Sequence, residues 1–179
     1  GDVYQTEIAN NLASNTRLVF KPASAWNATG EATISTGITG ARICSFGGTR
    51  PIITSTTAID TMGLTSASIS DLVIDGLEFN GTNTGSGFMR VAASGITNLT
   101  LYNLDVTDIG RGHRFTGSNQ GTNFAAFECD MGSFTGVAGY CIFGQGTKWM
   151  VVGNNLHDNF SESILRQQFA RYSVCANNK

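Results

Sequence analysis

The chain has 179 residues, 22 of them glycine, with 13% charged residues and a net charge of −2, a size that suits one domain spanning 1–179. With no basic stripe legible to neutralise phosphates, nucleic acid is excluded as an expected partner. No apolar run is long enough for a membrane span. The chain opens on Gly1 and not Met, so the absence of a visible leader says nothing about location.

In chain order, the first strand-like stretches are TRLVFKPASAW from Thr16, ATIS from Ala32 and GARICSFGGTRPIIT from Gly40. Five related units follow: LVIDGLEF from Leu72, LTLYNLDV from Leu99, FAAFECDM from Phe124, WMVVGNNLHD from Trp149 and YSVCANNK from Tyr172. Aligned on Ile74, Leu101, Ala126, Val151 and Val174, they recur every 23–27 residues. A period in the twenties marks a solenoid, whose units bury their apolar faces only by stacking. Regular leucines and an amphipathic helix per unit are missing, which argues against leucine-rich repeats. Between the anchors lie Gly, Ser, Thr and Asn, the chemistry of turns. The expected fold is therefore all-β, a single-stranded parallel β-helix with one strand-turn-strand unit per coil.

Alternation along each strand sorts the side chains. Leu72, Ile74, Leu99, Leu101, Phe124, Ala126, Trp149, Val151, Tyr172 and Val174 are expected to face inward. A tight turn follows at Gly76, Asn103, Glu128, Gly153 and Ala176. Beyond it comes an inward column of Leu77, Leu104, Cys129, Asn154 and Asn177, in which Asn177 is expected to stack on Asn154 through bonded side-chain amides. Cys44, Cys129, Cys141 and Cys175 show no C-x-x-C spacing; they read as small apolar residues or as partners in a disulfide.

Two outward columns carry the candidate chemistry. Glu78, Asp105, Asp130, Asn155 and Asn178 form the first, placing three carboxylates about 4.8 Å apart, a spacing at which their repulsion is roughly 1 kcal/mol even in water. Three arrangements would offset it: a bound Ca²⁺ held by Glu78, Asp105 and Asp130; one carboxyl that keeps its proton and serves as acid beside an ionised base; or side chains that fan into solvent or pair with Lys and Arg. The second column is Asp75, Tyr102, Phe127, Val152 and Cys175, whose aromatic rings at Tyr102 and Phe127 suit the apolar faces of sugars. The same stripe could be covered by the 110–123 loop or by a partner subunit.

The opening segments TRLVFKPASAW, ATIS and GARICSFGGTRPIIT, with ISDLVIDGLEFNG and MVVGNNLHD later, resemble the pectate-lyase-like right-handed parallel β-helix superfamily over residues 16–179. That resemblance implies a right-handed coil and an extracellular, periplasmic or cell- or virion-surface location. It leaves the chemistry open, because the superfamily holds lyases, hydrolases, epimerases, tailspikes and adhesins. A lyase of this kind would need an Arg or Lys as base; Arg111 and Arg114 in DIGRGHRFTG and Arg166 in SESILRQQFAR are the candidates, and His157 beside Asp158 is a further possible base. His113 and Arg114 could recognise an acidic sugar beside the carboxylate groove.

Two functions follow as expectations. The chain is a carbohydrate-directed β-helix, a polysaccharide lyase or hydrolase in which Asp105, Asp130, Arg111, Arg166 and His157 act on an acidic polysaccharide. Alternatively it is a non-catalytic structural or glycan-binding module. The final unit, YSVCANNK, reads as an interrupted middle, so the domain is expected to be incomplete at its C-terminal end or to self-associate through an open coil.

Overall fold

The fold was obtained as a computed structural model, which describes residues 3–82, 84–116, 121–134, 140–158 and 163–179, apart from the side chain of Phe169. It is a parallel β-solenoid of about six turns, with one short helix at Tyr4–Asn11. Three stacks of parallel strands run along its axis. Stack 1 holds Arg17–Val19, Arg42–Cys44, Ser70–Asp75, Thr97–Tyr102 and Gly121–Phe127, and ends in the later halves of Ile142–Val152 and Leu165–Ala176. Stack 2 holds Ala25–Ala28, Ile52–Ser55, Glu78–Gly81, Asp105–Val106, Asp130–Met131 and Asn155–Leu156. Stack 3 holds Ala32–Ile34, Asp60–Leu64, Gly87–Val91 and His113–Phe115, then the earlier halves of the same two long strands.

The inward columns expected from alternation form the core. Leu72, Ile74, Leu99, Leu101, Phe124, Ala126, Trp149 and Val151 are buried, as are Leu77, Leu104, Cys129 and Asn154 past the turn. The turn between stacks 1 and 2 takes two residues in most coils, the first left-handed: Gly76, Asn103, Glu128 and Gly153 all have positive φ. A second left-handed column, Asp71, Asn98 and Asn123, opens stack 1. These residue types tolerate that backbone, and their side chains also link the coils: Asn98 donates to Asp71 and Asn123 donates to Asn98, each at 2.6 Å. The helix was not foreseen; its buried Tyr4 and Ile8 lie on the first coil, with the Tyr4 ring 5.7 Å from that of Phe20.

The last coil departs from the expected frame. Ile142 pairs with Leu165 and Gln145 with Gln168, an offset of 23, but Thr147 pairs with Arg171 and Val151 with Cys175, an offset of 24. A β-bulge opposite Gly146 inserts one residue, and a one-residue slip exchanges the faces of everything after it. Tyr172 and Val174 are therefore 82% and 52% exposed, not inward. Asn177 becomes the left-handed turn residue, and Asn178 moves from the outward column to the position stacked on Asn154. Asn154 is buried and fully bonded: its Oδ1 accepts from the Cys129 amide at 2.9 Å, and its Nδ2 donates to Ala126 O at 3.0 Å and Asn178 Oδ1 at 2.9 Å.

The four cysteines are free thiols, three of them buried. Residues 171–175 are exposed, and among the described residues no strand pairs with the outer edge of Leu165–Ala176. The slipped register makes a direct prediction. Asn178→Ala removes bonds to buried groups and should cost about 1–3 kcal/mol, whereas Asn177→Gly, which keeps the left-handed turn, should change stability by less than about 0.5 kcal/mol. Equilibrium urea unfolding of the two variants checks this order.

Candidate functional site

The acidic column forms in register: Glu78 pairs with Asp105, Asp105 with Asp130, and Asp130 with Asn155, on the first position of stack 2. The chain's own groups meet its charge. Arg50 lies 3.7 Å from Asp105 and donates to Asn103 Oδ1 at 2.6 Å. His157 contacts Asp130 at 2.8 Å and Asp158 at 2.9 Å, while Asn155 donates to Asp130 at 3.2 Å. Burial and then the Asp105 charge raise the Glu78 carboxyl above its ordinary value; burial and then Asp130 do the same to Asp105. The hydrogen bond to Asp158, then that to Asp130, raises His157. Glu78, Asp105 and His157 thus each bind a proton more tightly than they would free in water. Among the described residues no group of three or more Asp, Glu, His or Cys side chains converges as a metal site. The donors present suit Ca²⁺ poorly, because a guanidinium and an imidazole stand among the carboxylates.

Like Asp60, Arg90 and Phe143 on stack 3, Arg50 is one of the residues that sequence reasoning missed. Its signal was loop length: seven residues separate Cys44 from Ile52, where later coils use two. The long Ser45–Pro51 loop overhangs the short turns of the next coils and walls a cleft of about 490 Å³, lined by Ser45, Gly47, Gly48, Thr49, Arg50, Gly76, Glu78 and Asn103.

The basic residues expected beside the carboxylates lie elsewhere. Arg114 is on stack 3, in an outward row with Arg90, Phe143 and Arg166, and Arg111 is at the corner where the chain enters that stack. Their centre is Asp60, whose side chain is only 5% exposed. It is met by Arg114 at 2.7 Å, Arg111 at 3.2 Å and Arg90 at 3.6 Å, and Arg90 also forms a two-pronged pair with Glu31 at 2.7 and 3.0 Å. A buried carboxylate demands such partners. Gly87 makes room for them: a Cβ there would sit 2.1 Å from Asp60 Oδ1. Further along, Arg166 lies 5.3 Å over the Phe143 ring and donates to the Tyr140 hydroxyl at 3.1 Å. Among the described residues, the guanidinium groups of Arg90, Arg111 and Arg114 thus meet the two carboxylates of Asp60 and Glu31.

His113 corrects an expectation. Alternation that sends Arg114 outward sends His113 inward, where it is fully buried and stacked on Phe124 at 4.8 Å. Both ring nitrogens lack partners among the described residues, and burial pushes its pKa down to about 3. It is a core residue in this fold, on the face of the strand opposite Arg114. The glycines flanking Arg111 serve backbone packing: a Cβ on Gly110 or Gly112 would lie 2.1 or 2.2 Å from a neighbouring carbonyl. Within the 110–123 loop, residues 117–120 lie outside the described residues.

Tyr102 and Phe127 pair on stack 1, across the tight turn from the acidic column. Phe127 lines a separate groove of about 350 Å³ with Met150, Tyr172 and Val174. The single groove of acids, bases and aromatic rings that the columns suggested is thus three surfaces. No family model matches the chain, and neither a curated protein nor a solved structure matches it significantly; the fold and the geometry of these surfaces are the ground for any functional reading.

Because the folded state holds His113 neutral, its contribution to stability is present above the ordinary value of 6.5 and is lost as pH falls towards about 3. His113→Phe keeps the stack and removes the titration, so its melting temperature should fall less than the parent's between pH 6.5 and 4. The parent's extra loss should approach about 1.4 kcal/mol per pH unit at most. Thermal melts across that range measure it.

Proposed function

We propose that this chain is a carbohydrate-directed β-helix protein that holds an acidic polysaccharide along the arginine row of stack 3. The observation that carries the reading is the in-register row Arg90, Arg114, Phe143 and Arg166, with Arg111 beside it. Parallel strands repeat about every 4.8 Å, so the row offers a line of forked donors to an extended chain of carboxylates or sulfates. Guanidinium groups bind such oxyanions in two-pronged fashion, and the rings of Phe143 and Tyr140 offer apolar faces to the sugars. The arginines are held by Asp60, Glu31 and the aromatic rings, so little side-chain freedom is lost on binding. Such a polymer is met outside the cell or at its surface, the location that the sequence resemblance implies.

A second reading makes the protein an enzyme on that polymer, a lyase or hydrolase. The column of Glu78, Asp105, Asp130 and His157 favours it, because the Glu78 and Asp105 carboxyls and the His157 ring are raised above their ordinary values. Its weakness is location, since the column and the arginines lie on different stacks. A Ca²⁺-assisted version has less support still, for the reasons of donor chemistry given above.

Affinity electrophoresis in gels containing polygalacturonate, alginate or a neutral glucan tests the proposal. Retardation should be stronger with the acidic polymers than with the neutral glucan and should weaken with added salt. Arg166→Gln should weaken binding roughly tenfold. Equal retardation by the neutral glucan would contradict the reading. Incubation with the same polymers, followed by absorbance of the unsaturated uronate and by reducing ends, distinguishes enzyme from binder. An activity retained by the Asp105→Asn, Asp130→Asn double variant would remove the column from catalysis.

A further inference from the structure

The cleft under the Ser45–Pro51 loop differs from the arginine row in charge, shape and position. It is concave, and its volume of about 490 Å³ lies within the roughly 300–1,000 Å³ of small-molecule sites. Donors and an acceptor meet in it. Arg50 is anchored by Asn103 Oδ1 at 2.6 Å and by Asp105 at 3.7 Å, so its guanidinium is pre-positioned. Asn103, having given Oδ1 to Arg50, keeps its amide hydrogens for another acceptor. Glu78, whose carboxyl accepts from Asn80 at 3.5 Å, also lines the cleft. The Ser45 hydroxyl is buried without a partner among the described residues, where buried polar atoms are ordinarily bonded. Gly47 and Gly48 are left-handed and exposed, and a Cβ on Gly47 would meet nothing within 4 Å.

The charge balance selects the ligand. Glu78, Asp105 and Asp130 stack at strand spacing beside one guanidinium and one imidazole. An anion entering here would be repelled by the column. A neutral molecule with adjacent hydroxyls meets no such penalty, because each hydroxyl both donates and accepts. One can donate to Glu78 while its neighbour accepts from Arg50 or Asn103.

We propose that this cleft binds a single neutral sugar residue, its vicinal hydroxyls bridging Glu78 and the Arg50–Asn103 pair. The site is independent of the arginine row: it takes an uncharged ligand at another corner of the coil, and either assignment can fail without the other.

The test is an amide NMR titration of the whole chain with methyl glycosides of glucose, galactose and mannose, and with galacturonate as the anionic comparison. At least one neutral glycoside should shift the amides of Ser45–Arg50, Gly76 and Asn103, with an affinity on the order of millimolar, as expected for one ring. Arg50→Ala should weaken that binding about tenfold or more. The near-isosteric Glu78→Gln, which leaves neutral for charged hydrogen bonds, should weaken it several-fold. Arg166→Gln should leave it unchanged, and melting temperatures confirm that each variant is folded. No shift at these amides with any neutral glycoside, tighter binding of galacturonate there, or full affinity in Glu78→Gln would overturn the proposal.

Discussion

In-register parallel pairing is the constraint from which the rest of this molecule follows. Once strands stack parallel at about 4.8 Å, each residue lies above its counterpart in the next coil, and every chemical property becomes a column. Apolar columns stack into a continuous core without special arrangement. Polar and charged columns must bring their own compensation, and the solutions differ from place to place. The buried Asn154 is satisfied by backbone on one side and Asn178 on the other. The carboxylates of stack 2 are met by Arg50 and His157, and the arginines of stack 3 close around Asp60.

That constraint explains which features the sequence revealed. The strand-turn-strand part of every coil from Leu72 to Leu156 was legible, because apolar alternation and turn residues recur with nearly constant spacing and register follows from them, whereas the stack 3 strands Gly87–Val91 and His113–Phe115 lie in stretches whose Gly, Ser, Thr and Asn read as turns. The pairing of Glu78, Asp105 and Asp130 was readable for the same reason. The last coil was misread for a local reason: an offset of 23 is correct as far as Gln145, and the extra residue opposite Gly146 lies outside any periodic signal. Tyr172 and Val174 look inward by their apolar character, yet the bulge turns them to solvent. Their places opposite Trp149 and Val151 go to Ser173 and Cys175.

The candidate sites were less legible because they join residues far apart along the chain at the corners of the coil. Arg50 reaches Asn103 and Asp105 across more than fifty positions, and Asp60 gathers Arg90, Arg111 and Arg114 from later coils. Neither contact has a sequence pattern of its own. His113 shows the opposite error: its basic neighbours and flanking glycines suggested an exposed loop, whereas strand alternation placed it in the core. Loop length, the one signal that marked Arg50, speaks of shape before chemistry.

The central claim is that the arginine face recognises acidic polysaccharide, and a direct measurement is a binding footprint. Hydrogen exchange of the chain with and without an acidic oligosaccharide, resolved by peptide, reports where the polymer lies. Protection should fall on 87–91, 111–115, 142–145 and 165–168, with the 130–131 and 155–158 segments unchanged. Protection confined to the acidic column, or no protection by any acidic oligosaccharide at saturating concentration, would contradict the account.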